Sequence, residues 1–148
     1  QGGFVFYLDG SGGGLIAAPS DQSTGAVWGC EGLLTAPFLG SNQTFLGLGY
    51  ENTVNILAAC SNPGIAAEIC FNLSLGGYDD WFLPSKDELN LMYQNLHLQG
   101  LGGFVDAFYW SSSEDGPDHA WYQWFLNGSQ NSGGKSGGGV FVHAARAF

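Results

Sequence analysis

The chain has 148 residues, 25 of them glycine, with 45% hydrophobic and 15% aromatic residues and a formal charge of −10. That apolar and aromatic content argues against a disordered chain, and glycines without a three-residue period exclude collagen. Lys86, Lys135 and Arg146 are the whole Lys+Arg complement; they form no patch for phosphates, and no apolar run nears the roughly 20 residues that cross a bilayer, so neither nucleic-acid binding nor membrane insertion is expected.

A single domain over 1–148 is the expectation. The chain starts at Gln1 with neither Met nor a basic-then-apolar leader, as a processed product or a piece of a longer chain would. Phe4-Val5-Phe6-Tyr7-Leu8, the Gly-rich stretch from Asp9 to Gly14 and Leu15-Ile16-Ala17-Ala18-Pro19 predict a β-hairpin that Pro19 ends. A nucleotide loop fails there, because G-x-G-x-x-G from Gly10 would need glycine where Leu15 stands. Residues 20–50 read as turns around a few apolar anchors, Val27-Trp28 among them. Asn52 or Thr53 is expected to cap a short helix with Val54, Leu57 and Ala58 on one face. Ile65 to Leu75 reads as a second helix, with Ile65, Ile69 and Leu73 in register.

Leu83-Pro84-Ser85-Lys86-Asp87-Glu88-Leu89 is the clearest local signal. Ser85 with Glu88 three residues later predicts a capping box, and Leu89, Met92, Tyr93 and Leu96 predict one buried helix face. Phe108 to Glu114 reads as a strand, Asp115-Gly116-Pro117-Asp118 as a turn and Ala120 to Phe125 as a second strand. Alternation places Trp121, Gln123 and Phe125 on one face and Tyr122 and Trp124 on the other. Asn127 to Gly139 reads as a Gly/Ser/Asn-rich loop, and Val140 to Phe148 as one last strand. The fold class is therefore α+β, with an early hairpin, two to three helices and C-terminal antiparallel strands.

Cys30, Cys60 and Cys70 allow at most one intrachain disulfide, with Cys30–Cys60 the pair to test first. No C-x-x-C occurs and the cysteines do not cluster with His97, His119 or His143, which argues against zinc. Cys70 lies in an apolar helical pattern and reads as a buried small hydrophobe. Gly134-Lys135-Ser136-Gly137-Gly138 matches G-x-S-x-G without the strand-turn-helix setting of a nucleophile elbow. It also fails as a phosphate loop, since Ser129 stands where the first glycine belongs. Glu114, Asp115 and Asp118 are the one candidate calcium set, weakened by irregular spacing. No nucleophile–base pair emerges, so no catalytic residue, metal ligand or cofactor is assigned, with calcium the sole alternative.

Several segments together resemble a known family. They are Gly77-Tyr78-Asp79-Asp80-Trp81-Phe82-Leu83-Pro84-Ser85-Lys86-Asp87-Glu88-Leu89-Asn90-Leu91-Met92-Tyr93, Tyr109-Trp110-Ser111-Ser112-Ser113-Glu114, Arg146-Ala147-Phe148 and the opening hairpin. The sequence resembles the C-terminal domain of Legionella collagen-like protein and its bacterial and phage relatives, most closely the variable proteins of diversity-generating retroelements. That resemblance implies a C-type-lectin-like fold with a hypervariable C-terminal ligand-binding surface, here 110–148. In such systems randomised AAY codons cannot yield Trp, Gln, Glu, Lys or Met. Trp121, Gln123, Trp124, Gln130 and Lys135 would then be fixed. The variable candidates are Asp115, Gly116, Pro117, Asp118, His119, Leu126, Asn127, Ser129, Asn131, Ser132, Gly134, Ser136, Gly138, Gly139 and Phe141. Trp121, Tyr122 and Trp124 are fixed aromatic candidates for ligand contact. His143 departs from the family's Val-Arg-Ala-Val-Arg-Ala-Phe ending, and the charge of −10 argues against the sulfated polysaccharides associated with the collagen-like member.

The leading expectation is a non-enzymatic receptor-binding domain of a phage tail fibre or bacterial surface adhesin. It would be extracellular, directed at a cell-surface protein or carbohydrate, and homotrimeric by analogy with such fibres. The alternatives are a fixed-site carbohydrate-binding module, with or without calcium, and an enzyme related in fold to formylglycine-generating enzymes.

Overall fold

A computed structural model describes residues 2–35 and 41–148. Within the stretch 20–50 read as turns, residues 36–40 lie outside the described residues. The hairpin forms as expected: β1 (Phe4–Leu8) pairs antiparallel with β2 (Gly14–Ala17). Asp9 organises the turn, its Oδ1 accepting from the Ser11 amide at 2.7 Å, the Ser11 hydroxyl at 2.9 Å and the Gly13 amide at 3.0 Å. These donors hold the exposed Asp9 carboxyl below its ordinary range.

The rest of the chain supplies β3 (Ser23–Ala26), β4 (Phe108–Glu114), β5 (His119–Trp124), β6 (Gln130–Gly134), β7 (Val140–Val142) and β8 (Ala145–Ala147). One sheet has the order β1-β2-β8 and the other β3-β7-β4-β5-β6. Two expectations change here. Val140 to Phe148 is not one strand: β7 lies in the five-stranded sheet and β8 in the three-stranded one. The crossing point is His143, fully buried, stacked on Phe104 with ring centroids 4.0 Å apart and bonded to Asp21 and the Ala18 carbonyl. The expected loop from Asn127 to Gly139 contains β6, which pairs with β5 from His119↔Gly134 to Gln123↔Gln130. Main-chain pairing holds that strand, so its small polar side chains gave no strand signal.

Among the described residues three α-helices lie between the hairpin and the C-terminal strands. α1 (Gly49–Ala59) starts three residues before Asn52, so Asn52 and Thr53 are helix-interior residues rather than caps. Both face inward. Asn52 Nδ2 donates to the Gln43 carbonyl at 2.7 Å, and Thr53 Oγ1 accepts from the Leu83 amide at 3.0 Å. Because their polar groups are satisfied internally, the buried face is Gly49, Asn52, Thr53 and Ile56, while Val54 is 39% exposed. α2 (Ala66–Phe71) is shorter than expected, with Ile65 as its extended N-cap and Asn72 as its C-cap. A tight Leu75–Tyr78 bridge follows, and its Gly76 and Gly77 have φ of 65° and 84°, a region that favours glycine.

α3 (Lys86–Asn95) carries the expected capping box: the Ser85 hydroxyl accepts from the Glu88 amide at 3.3 Å and the Ser85 amide donates to Glu88 Oε2 at 2.7 Å. Glu88 Oε1 also accepts from the Gly47 amide at 2.8 Å. Burial is the dominant influence on this carboxyl and pushes its pKa up, against the three amides that favour the anion. Leu89, Met92 and Leu96 are buried as the periodicity implies, and Tyr93 is half-buried.

The core has two parts. Trp28, Ile56, Ile65, Trp81, Leu83 and Trp110 pack in the first, beside the Cys30–Cys60 disulfide. Phe6, Leu89, Met92, Tyr109 and Phe125 form the second. Cys70 is free and buried, and desolvation drives its thiol pKa far up. The Gly-Tyr-Asp-Asp-Trp segment and the Arg-Ala-Phe ending meet: Arg146 Nε and Nη2 grip Asp80 at 2.7 and 3.0 Å, with the guanidinium 3.8 Å from the Tyr78 ring centroid. Among the described residues no helix is long and apolar enough to cross a membrane.

Candidate ligand-binding surface

The structure distributes the variable candidates over the two ends and the outer edge of the five-stranded sheet. Asp115, Gly116, Pro117 and Asp118 form the β4–β5 turn, and His119 opens β5. Gly134 closes β6 directly opposite His119, and Ser136, Gly138 and Gly139 continue into the β6–β7 loop, so these residues share one end of the sheet. Leu126, Asn127 and Ser129 occupy the β5–β6 turn at the other end. Asn131 and Ser132 lie between the two ends on edge strand β6, on opposite faces. Phe141 stands apart. It is opposite Tyr109 across the parallel β4–β7 pair, with ring centroids 5.5 Å apart, against the second core.

None of these positions is buried. Gly116, Ser129, Ser132, Gly134 and Phe141 are half-buried and the others exposed. The residues interleaved with them behave differently. Trp121 lies beneath the Lys86 ammonium, 3.7 Å from its ring centroid. Gln123 is fully buried and donates to Asn90 Oδ1 at 2.9 Å and the Gly128 carbonyl at 3.0 Å. Gln130 donates to the Lys86 carbonyl at 2.9 Å, and Trp124 stacks on Phe108 at 5.2 Å. Each therefore fastens β5 or β6 to α3 or β4, on elements whose positions the capping box and the core already fix.

Lys135 is the least expected of them. Its side chain is fully buried; Nζ donates to Glu114 Oε1 at 2.5 Å and the Leu33 carbonyl at 2.7 Å, and lies 4.7 Å from the Trp28 ring centroid. Glu114 also accepts from the Thr35 amide at 2.9 Å. Its carboxylate therefore points into this cluster rather than joining the exposed Asp115 and Asp118 around a common ion. Among the described residues no group of three His, Cys, Asp or Glu side chains could hold a metal ion.

The segment 28–35 is a part of the surface that local pattern did not announce. The Trp28 and Gly29 amides donate to the Lys135 carbonyl at 2.9 and 3.2 Å, and the Gly32 amide donates to the Pro117 carbonyl at 2.9 Å. Ser136 Oγ donates to Glu31 Oε2. These contacts span more than eighty residues of chain, and the only sequence sign of them was Cys30, which anchors the segment to α1 through Cys60.

The three aromatic candidates separate. Tyr122 and Trp124 share a face with Phe108, whose ring centroid lies 5.4 Å from Tyr122 and 5.2 Å from Trp124, while Trp121 points to the α3 side. On the Tyr122 face a groove of about 210 Å³ is lined by Phe108, Trp110, Tyr122, Gly133, Gly134, Gly137 and Val140. Backbone without side chains forms one of its walls: a Cβ at Gly133 would stand 2.8 Å from the Tyr122 ring. The three cysteines offer no exposed thiol, since Cys30 and Cys60 are joined and Cys70 is buried. No family model and no curated protein matches this sequence.

Proposed function

We propose that the chain is a ligand-binding domain of C-type-lectin-like fold, belonging to a phage tail fibre or bacterial surface adhesin and diversified at its C-terminal surface. The observation that carries this reading is the division within 115–141: every candidate variable position is accessible, while Trp121, Gln123, Trp124, Gln130 and Lys135 hold the strands in place. A surface that must change its chemistry without unfolding needs that separation, because accessible positions away from caps, packing and left-handed backbone tolerate substitution within about 0.5 kcal/mol each; Gly116 and Gly139, with φ of 86° and 75°, and Phe141, packed on Tyr109, are the exceptions. Most of these positions carry small side chains rather than the large rigid anchors that dominate tight interfaces. This copy is accordingly a weak binder on its own.

A display library with the candidate positions randomised over AAY-derived codons tests the reading. Most members are expected to fold, and selection on bacterial surface proteins or glycans is expected to enrich binders. General loss of folding, or enrichment of changes only elsewhere, would refute it. The genomic counterpart is a near-repeat of the segment encoding 110–148, differing only at adenines, beside a reverse transcriptase. Finding none would remove the diversification and leave an adhesin of fixed sequence.

A further inference from the structure

We infer that the outer edge of β6 is a strand-docking site, where an extended segment of the partner protein adds to the five-stranded sheet along Gln130–Gly134 and is held by main-chain hydrogen bonds. The inference names the partner chemistry of the surface proposed above and rests on that reading. It starts from the direction in which backbone groups point. On β5 the His119 carbonyl accepts from the Asp115 amide at 2.8 Å and the Trp121 carbonyl from the Ser111 hydroxyl at 2.8 Å, so these residues bond toward β4. Their neighbours bond toward β6, in phase with the Trp124 amide on the Ser129 carbonyl at 2.8 Å and the Lys135 amide on the Asp118 carbonyl at 2.9 Å. The antiparallel register therefore turns the main-chain groups of Gln130, Ser132 and Gly134, opposite Gln123, Trp121 and His119, away from the sheet. The Gly137 amide takes the Gly134 carbonyl at 2.9 Å. The remaining outward N–H and C=O groups of these three half-buried residues meet no partner among the described residues.

The other strand edges are closed. On β1 Asn95 Nδ2 donates to the Phe6 carbonyl at 2.9 Å and the register shifts between Val5 and Tyr7. The free side of β8 is bridged by Phe82, and β3 is broken by a register shift between Ser23 and Ala26. β6 has no such protection. Its register with β5 is unbroken, and Gln-Asn-Ser-Gly-Gly carries neither charge nor proline, so its edge is a template for another chain. A second copy is the poorer occupant, because each copy brings a formal charge of −10. Gly133 supplies a further contact. A Cβ there would stand 2.8 Å from Tyr122 Cε1, so the missing side chain lets this half-buried ring lean over β6 and border the added strand. Main-chain pairing is indifferent to the side chains at the candidate variable positions Asn131 and Ser132. The edge would thus give every variant a constant share of affinity, while those side chains, on opposite faces, select among partner sequences.

The test pans a displayed library of random linear peptides against the whole chain and synthesises the enriched members with a single N-methyl group moved along the backbone. Methylation is expected to weaken binding by about tenfold at alternate residues, where it removes a donor to β6, and by less than about threefold at those between. Bound peptide should slow hydrogen exchange at the Ser132 and Gly134 amides. Ser132→Pro deletes an outward N–H and no bond to β5, a change that edge strands accept. It should weaken peptide binding by about tenfold with an unchanged melting temperature. The methylated series alters only the peptide, so it decides the matter even where the proline variant is unstable. Enrichment of no peptide, or losses that ignore the alternation, would overturn the strand-docking site. So would sedimentation showing a dimer that Ser132→Pro dissociates, since the edge would then belong to a second copy. Each of these outcomes leaves the binding-surface reading intact, whereas failure of the randomised library to fold would remove that reading itself.

Discussion

His143 lies 2.8 Å through Nδ1 from Asp21 Oδ1, and its Nε2 lies 2.7 Å from the Ala18 carbonyl, at the point where the chain passes from one sheet to the other. Both ring nitrogens thus meet an oxygen, one of a carboxylate and one of a backbone carbonyl. Asp21 also accepts from the Tyr109 hydroxyl at 3.1 Å. The position where the family resemblance implies an arginine thus holds another nitrogen donor, turned inward and paired with a carboxylate.

Replacing Asp21 with Ala should therefore be costly despite its place near the surface. The change removes a hydrogen-bond partner of two buried side chains, His143 and Tyr109, and is expected to lower stability by about 1–3 kcal/mol, the cost of leaving buried polar groups unsatisfied. Urea unfolding followed by tryptophan fluorescence measures this. A loss under about 0.5 kcal/mol would show that the His143 contact is incidental.

The Lys135–Glu114 pair supplies a sharper comparison. Lys135→Met leaves a carboxylate that is 3% exposed without its ammonium and is expected to cost about 3–5 kcal/mol. Adding Glu114→Leu should recover much of that loss, because the isolated charge rather than the missing pair dominates the penalty. A double variant no more stable than Lys135→Met would count against this account.

Asp80 gives the pH dependence. The Arg146 hydrogen bonds hold its folded-state carboxyl below the ordinary value of 3.8. A depressed carboxyl contributes stability that is present above the unfolded value and lost as pH falls through the folded one. Asp80→Asn should accordingly flatten the stability curve below about pH 4. The Asp80 side chain is 49% exposed, so solvent screening keeps the effect under about 1 kcal/mol at neutral pH. An unchanged acid limb in the variant would assign that limb to other carboxyls.

The cysteines make a labelling prediction. The native chain should take up no thiol reagent, the unfolded chain one equivalent at Cys70, and the unfolded and reduced chain three. Removing the disulfide with Cys30→Ser and Cys60→Ser, thirty residues apart in sequence, should cost about 3–4 kcal/mol by the chain-entropy argument. Rapid native labelling of Cys70 would contradict its burial.

What the sequence revealed depended on how local the physics was. The capping box at Ser85 and Glu88 and the Asp9 turn are completed within four residues, so both were legible. Asn52 and Thr53 misled because their hydrogen-bond partners, Gln43 and Leu83, lie elsewhere in the chain, and side chains that look like caps could thereby turn inward. β6 had no apolar alternation because main-chain pairing and the edge position sustain it. The meeting of Glu31 with Ser136, and of Lys135 with Leu33 and Glu114, is tertiary, and no residue spacing encodes it.

The pairing of β2 with β8 sets a condition on the order of assembly. Leu15 pairs with Ala147 across 132 residues of sequence, and Asp80 with Arg146 across 66. Closing contacts of such long sequence separation is entropically slow. Until then β2 presents an open, apolar edge of the kind that invites pairing with other chains. Yield in recombinant expression should therefore be governed by how fast β8 docks, and a nascent chain stalled short of Ala145 should be a good chaperone client.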